Sequence, residues 1–318
     1  MYRRCPLVLL SLLALGIASS SAPAQAGACD PKGQSDKQAC KACVPTSIDY
    51  WLMSTRGACG PLPRIHHLID RCWRTSTLDE YHAGDDPNVV TVFWVHGSLT
   101  SEAEAIQAGW QIAAQLKGCA PRLRLVIWSW HADREHRRRM PDWREQIGES
   151  YRDALPLARV LDATPADVPV TLVGYSLGAQ VIVGAAHALG GGAICGETLP
   201  GPRVVDRRLR LVLMAGAVHN DWLSPGCPFD KALLPVEKML VFVNPGDRAL
   251  RRYWRVERNR GVQVMGETGV AGTGCLGPQA AKIRQLNVSG YVGERHRWAN
   301  YVGSGVISQQ IRPFAFAL

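Results

Sequence analysis

From about residue 89 the chain alternates two kinds of pattern. Stretches apolar at nearly every position, "VVTVFWVHG" (89–97), "LRLVIWSW" (123–130) and "VPVTLVGYS" (168–176), are each followed by a longer stretch with apolar residues three and four apart. The longer stretches predict helices over 101–118, 139–163 and 177–191, with Pro156 as a kink or break in the second. Further strands are predicted at 209–218, 239–247 and 284–293. A strand that is apolar throughout is covered on both faces, and alternation with helices makes such strands parallel. The expected fold class is therefore α/β: a mostly parallel β-sheet with helices on both faces.

Upstream the pattern is looser. "SIDYWLMSTR" (47–56) predicts a first strand and "PRIHHLIDRCWR" (63–74) a second. "TLDEYHAGDDPN" (77–88) predicts a loop from its Asp, Gly and Pro content. Residues 27–45 are polar, hold three cysteines and read as an irregular segment. No internal repeat or low-complexity linker interrupts the remainder, so 46–318 reads as one domain. Ligands of parallel sheets sit at the carboxyl ends of the strands. Chemistry is therefore sought just after each strand.

The clearest candidate is Gly174-Tyr175-Ser176-Leu177-Gly178, a G-x-S-x-G between a predicted strand and a predicted helix. In that setting the serine sits on a sharp turn with its hydroxyl projecting above the sheet. The backbone passes so close to its neighbours there that small flanking residues are needed. A serine hydroxyl needs a base to act as a nucleophile. His296 follows the last predicted strand, and Asp247 ends "VFVNPGD", the strand before it. The chain order Ser176, Asp247, His296 suits a triad in which Asp247 orients His296 and His296 accepts the serine proton. Asp221 also follows a strand and is the alternative acid, with His219 beside it. An oxyanion hole is expected from the backbone N–H groups of Leu177 and of Ser98, the latter after His96-Gly97 in "VFWVHGSLT". His96 is expected to prop this loop rather than to move protons. His66 and His67 lie too early in the chain for this role. His131, His136 and Asp133 resemble a metal cluster only loosely, and their spacing fits no familiar zinc site. No metal and no cofactor is expected.

Taken together, Gly174 to Gly178, His96-Gly97, Asp247 and His296 resemble the α/β-hydrolase superfamily. "VHGSLTSEAEAIQAGWQIAAQL", "LVIWSW" and "GYSLGAQ" are similar to a bacterial group of α/β hydrolases of unknown function. The resemblance implies an α/β-hydrolase fold and a serine hydrolase acting on an ester or related acyl bond. It names no substrate beyond a small-molecule ester or acyl compound. No lid-like insertion of the lipase kind is evident, which argues against long-chain lipids. A non-catalytic binding protein on the same fold stays open, as does an acyltransferase using the same triad. Trp94, Trp128 and Trp130 fall in strands and read as core, with Trp130 placed to shape an acyl pocket. Trp298 is placed to pack the histidine loop.

Composition adds compartment and charge. Arg3 and Arg4, the apolar run "CPLVLLSLLALGIA" and Ala24-Gln25-Ala26 read as a signal peptide over 1–26, cleaved before Gly27. A lipid-bearing Cys29 is the weaker alternative. An exported, periplasmic or secreted protein follows. Without Cys5, nine of the ten cysteines remain, which predicts several disulfides and an odd thiol. Most of the basic residues are Arg, and one basic run is "HADREHRRRMPDWR" (131–144); the formal charge is +9. If its Arg-rich part, 134–144, lines the entrance, Arg137, Arg138 and Arg139 favour an anionic substrate or surface. With no nucleic-acid motif, nucleic acid is not an expected partner, and a membrane surface stays open without being predicted.

Overall fold

The computed structural model describes residues 47–58, 60–118, 120–203 and 207–316. The expected signal peptide, the segment 27–45 and Cys29, Cys40, Cys43, Cys59 and Cys119 lie outside the described residues. The described residues carry a nine-stranded sheet in the order β3-β2-β1-β5-β4-β6-β7-β8-β9. Its strands are β1 (Ser47–Ser54), β2 (Arg64–Ile69), β3 (Cys72–Ser76), β4 (Val90–Val95), β5 (Arg122–Ser129), β6 (Val170–Tyr175), β7 (Leu209–Met214), β8 (Val236–Val243) and β9 (Ile283–Asn287). Only β2 runs against its neighbours. The mostly parallel sheet expected from the sequence is thus present.

The strands that read as apolar throughout are the fully buried ones. Every residue of β4 and of β7 is buried, as are all but the first of β5. The helices are α1 (Leu78–His82), α2 (Glu102–Leu116), α3 (Arg139–Ala163), α4 (Leu177–Leu189), α5 (Tyr253–Glu257), α6 (Met265–Thr268), α7 (Ser289–Val292), α8 (Trp298–Val302) and α9 (Gly305–Phe316). Right-handed connections put α2, which links β4 to β5, on one face. They put α3 and α4, which step the opposite way through the sheet, on the other. In keeping with this, α3 packs on α4, while α2 packs on α8 and α9. Helix α4 is buried at every residue between the sheet and α3.

Several details differ from the sequence-based expectations. The single strand expected at 63–74 is a hairpin, β2 and β3, turned at Asp70 and Arg71 with φ of 51° and 64°. Two-residue hairpin turns need positive φ, and a turn without glycine gave no signal. The expected loop at 77–88 holds α1, started by a reciprocal cap between Thr77 and Glu80. Helix α3 runs on through Pro156 without a break. The last strand stops at Asn287, and α7 intervenes before His296. Among the described residues there is no disulfide: Cys72, Cys195, Cys227 and Cys275 are each free. No helix of the described residues is long and apolar enough to cross a membrane.

The register sets the stage for the site. Val95 lies beside Gly174, Tyr175 beside Met214, and Val243 beside Asn287. The carboxyl ends of β4, β6, β8 and β9 therefore open on the same edge of the sheet.

Candidate active site

Ser176 occupies the turn between β6 and α4 with φ 53° and ψ −119°. A non-glycine residue rarely adopts a positive φ, and a residue held there marks a place the surrounding structure enforces. Three backbone bonds enforce it. The Ser176 N–H donates to the Met214 carbonyl at 2.9 Å, and the Ser176 carbonyl accepts from Ala179 and Ala217. The flanking glycines are required by space. A Cβ on Gly178 would lie 2.2 Å from the Val95 carbonyl oxygen, and one on Gly174 would lie 2.6 Å from the Gly178 carbonyl oxygen.

The structure brings Ser176, Asp247 and His296 together. The Ser176 Oγ lies 2.9 Å from His296 Nε2, and His296 Nδ1 lies 2.8 Å from Asp247 Oδ2. The tautomer that suits both contacts has the proton on Nδ1, donated to the carboxylate, and leaves Nε2 to accept from the serine hydroxyl. Asp247 is fully buried, and its second oxygen accepts from the Ala249 and Leu250 N–H groups at 2.9 and 3.1 Å. The His296 ring stacks on Tyr175 with centroids 5.3 Å apart.

Asn244 fastens the acid loop to the histidine loop. Its Nδ2 donates to the Gly293 carbonyl at 2.7 Å, and its Oδ1 accepts from the Gly246 N–H at 3.1 Å. The Arg248 N–H adds a bond to the Glu294 carbonyl at 3.0 Å. The sequence reading passed over Asn244, although an Asn before Pro-Gly is a signal for such a side-chain turn.

Ser98 and Leu177 line one cavity with Ser176 and His296. Neither the Ser98 nor the Leu177 N–H donates to any group among the described residues. Leu177 opens α4, where first-turn N–H groups have no partner within the helix. Just after Ser98 the loop is held twice: Leu99 N–H donates to Gln146 Oε1 at 3.1 Å and Thr100 N–H to the Ala132 carbonyl at 2.8 Å. Gly97 touches the nucleophile's turn so closely that a Cβ there would come within 2.9 Å of Ser176 Cβ.

His96 stands under this loop as a buried prop. Its Nδ1 lies 2.8 Å from the Gly97 carbonyl oxygen, and its Nε2 accepts from the Trp130 N–H at 3.2 Å. Burial, with Arg56 nearby, pushes its pKa down to about 3. Arg56, which the sequence reading missed, binds four groups around it: Ser129 Oγ at 2.7 Å, the Thr100 carbonyl at 2.7 Å, His96 Nε2 at 3.3 Å and the Asp133 carboxylate. No local signal marks Arg56, because these partners lie 40 to 77 residues away.

The remaining candidates fall elsewhere. His219 pairs with Glu257 at 2.7 Å and stacks on Trp222, and the carboxylate on His296 is Asp247, not the exposed Asp221. His67 pairs with Asp49 and stacks on Trp51, and His66 is its neighbour in β2, pointing to the other face of the sheet. The loose cluster of His131, Asp133 and His136 is dispersed: His131 bonds Glu135, Asp133 bonds Arg56, and His136 bonds Asp142. Trp130 does not shape the pocket; it is buried, with Nε1 donating to the His96 carbonyl at 2.8 Å. Trp298 does pack beside the histidine loop, against Trp94 and Tyr175. Of the segment 134–144, Met140 and Trp143 reach the cavity, and Arg137, Arg138 and Arg139 do not line it.

No protein-family model matches the chain, and no curated protein matches it. Among solved structures, esterase B from Lactobacillus rhamnosis is 15% identical with a TM-score of 0.41, over 72% of this chain and 76% of that one. A cutinase-like protein from Cryptococcus sp. is 14% identical with a TM-score of 0.38, over 73% and 95%. Acyl-protein thioesterase 2 from Zea mays is 13% identical with a TM-score of 0.37, over 72% and 94%. The sheet order and the strained serine between β6 and α4 stand independently of these likenesses, and on them the chain adopts the α/β-hydrolase fold.

Proposed function

We propose that the protein is an exported serine hydrolase that cleaves a carboxylic ester or a related acyl bond. The observation that carries this reading is the unbroken hydrogen-bond chain from Ser176 Oγ through His296 to the buried Asp247. In the first half-reaction Ser176 Oγ attacks the carbonyl carbon while its proton passes to His296 Nε2. The negative oxygen that forms is held by the Ser98 and Leu177 N–H groups, both without another acceptor among the described residues. Collapse breaks the bond to the leaving oxygen, which takes the proton back from His296 and departs as an alcohol. In the second half-reaction a water gives a proton to His296 as it attacks the acyl-serine; collapse breaks the bond to Ser176 Oγ, which takes that proton back from His296, and the acid is released. Asp247 keeps the imidazole in one tautomer and stabilises the imidazolium. Export rests on the leader-like pattern of residues 1–26 alone.

A fluorophosphonate probe tests the reading. The wild type is expected to be labelled on Ser176, and Ser176→Ala to be unlabelled and to lose roughly four to six orders of magnitude in ester turnover. A folded wild-type protein that takes no label would remove the hydrolase assignment and leave a binding protein on this fold.

A further inference from the structure

The cavity over Ser176 is about 520 Å³, within the range of small-molecule sites. Its interior is apolar. Met140, Trp143 and Ile147 of α3 meet Leu250, Tyr253 and Val256 from the segment after β8. Its mouth is cationic. Five exposed arginines line it, Arg248, Arg252, Arg255, Arg295 and Arg297, against one acid, Glu294. The whole chain has 36 basic and 27 acidic side chains, so this excess is local.

Two separate segments create the excess. Arg248, Arg252 and Arg255 follow the triad acid at spacings of four and three, and Arg295 and Arg297 flank the triad histidine. Arg248 pairs with Glu294, and Arg255 lies over the Trp254 ring at 5.2 Å. Arg252, Arg295 and Arg297 form no ion pair among the described residues. The arginines inside the sheet are matched instead: Arg124 pairs with Asp85 and Asp49, and Arg210 with Glu237. Unmatched cations around an apolar cleft repel one another and concentrate anions there. Guanidinium groups bind carboxylate, phosphate and sulfate through paired N–H donors.

From this geometry we infer that the substrate is an amphiphilic anion. It is a small acyl ester whose apolar part lies on the α3 side of the cavity and whose carboxylate, phosphate or sulfate is held by Arg252, Arg295 and Arg297. The reaction named here rests on the hydrolase reading; the recognition of an anionic amphiphile does not.

The test separates the two. Ser176→Ala protein is titrated by calorimetry with octane-1-sulfonate and with octan-1-ol. The sulfonate is expected to bind about tenfold more tightly, a difference of ~1.4 kcal/mol. That preference is expected to shrink with added salt, and to disappear when Arg252, Arg295 and Arg297 are all replaced by Gln. A melting curve checks that this variant is folded. In parallel, p-nitrophenyl hexanoate and mono-p-nitrophenyl adipate, equal in acyl length, are compared as substrates. The triple variant is expected to lower kcat/KM for the adipate ester about tenfold more than for the hexanoate ester. Equal binding of octanol and sulfonate, or equal loss on both esters, would overturn the inference while leaving the hydrolase reading intact. A sulfonate preference that needs the three arginines, in a protein that cleaves neither ester and takes no fluorophosphonate, would support the anion site and overturn the hydrolase reading.

Discussion

The loop after β4 and the mouth of the cavity both border the space over Ser176 and treat charge in opposite ways. Under the loop, Arg56 is almost wholly buried and gives its donors to Ser129, Thr100, Asp133 and His96. His96 is buried and has a partner on both ring nitrogens. Polar groups this deep have to be satisfied, and a fully satisfied network is rigid. At the mouth, by contrast, Arg252, Arg295 and Arg297 are exposed and without ion-pair partners among the described residues. The difference separates two tasks. In the proposed reaction, the groups that aim the backbone donors at the oxyanion are fixed by the protein itself. In the proposed recognition, the groups that meet the incoming anion are left for it to satisfy.

Four substitutions or conditions would break or sharpen the contrast. The largest effect is expected from Gly97→Ala. The added methyl meets Ser176 Cβ at 2.9 Å and the Tyr175 carbonyl oxygen at 3.1 Å, so the Ser98 N–H must move away from its target. Loss of one oxyanion donor is worth about 10²- to 10³-fold in kcat. A kcat within a factor of two of wild type would remove Ser98 from the hole.

Arg56→Gln comes next. It deletes the bonds that the buried cation gives to Ser129 Oγ and the Thr100 carbonyl, together with its contact to His96 Nε2. A cost of about 1–3 kcal/mol in urea unfolding is expected, with a fall in kcat and little change in KM. Unchanged stability would mean that the loop is held without this network.

Acid should loosen the same region. His96 is held neutral in the folded protein, pushed down to about 3, mainly by burial. The unfolded chain protonates near 6.5. The stability this group contributes is therefore complete above about pH 6.5 and is lost as the pH falls toward 3. By pH 5 the loss amounts to about 2 kcal/mol. Urea unfolding of the wild type and of His96→Asn across this window checks it. Parallel slopes for the two proteins would show that His96 is not the group responsible.

The smallest effect on stability is expected at the mouth. Arg252→Gln touches an exposed side chain with no ion pair, and the urea midpoint should not move measurably. A clear gain in stability would instead reveal mutual repulsion among the arginines strong enough to strain the free protein.

The core of this picture was legible in the chain because it depends on local patterns. The apolar runs that became β4, β5 and β6, and the glycines around Ser176, announce burial and close approach within a few residues. The order Ser176, Asp247, His296 was legible because Ser176 directly follows β6 and Asp247 comes soon after β8, whereas the turn of helix α7 between β9 and His296 left no signal. What stayed hidden depends on distant partners. Arg56 looks like any strand-end arginine until the fold lays β5 beside β1. The sequence points to 134–144 for a cationic entrance, because three arginines stand in a row there at Arg137, Arg138 and Arg139. It arises instead from 248–255 and 295–297, two segments far apart in the chain that meet only in space. The turn at Asp70-Arg71 escaped for the opposite reason, since residues that seldom take positive φ occupy it.

The φ of 53° at Ser176 has a consequence for how the sequence can drift. Glycine would sit in that conformation with less strain, by about 1–3 kcal/mol for such backbone outliers. Heat selection that scored survival of the folded chain and ignored turnover should therefore enrich Ser176→Gly. Retaining serine there under ordinary selection would record that the lineage is filtered for what the hydroxyl does, against a standing pull toward a sturdier and inert protein.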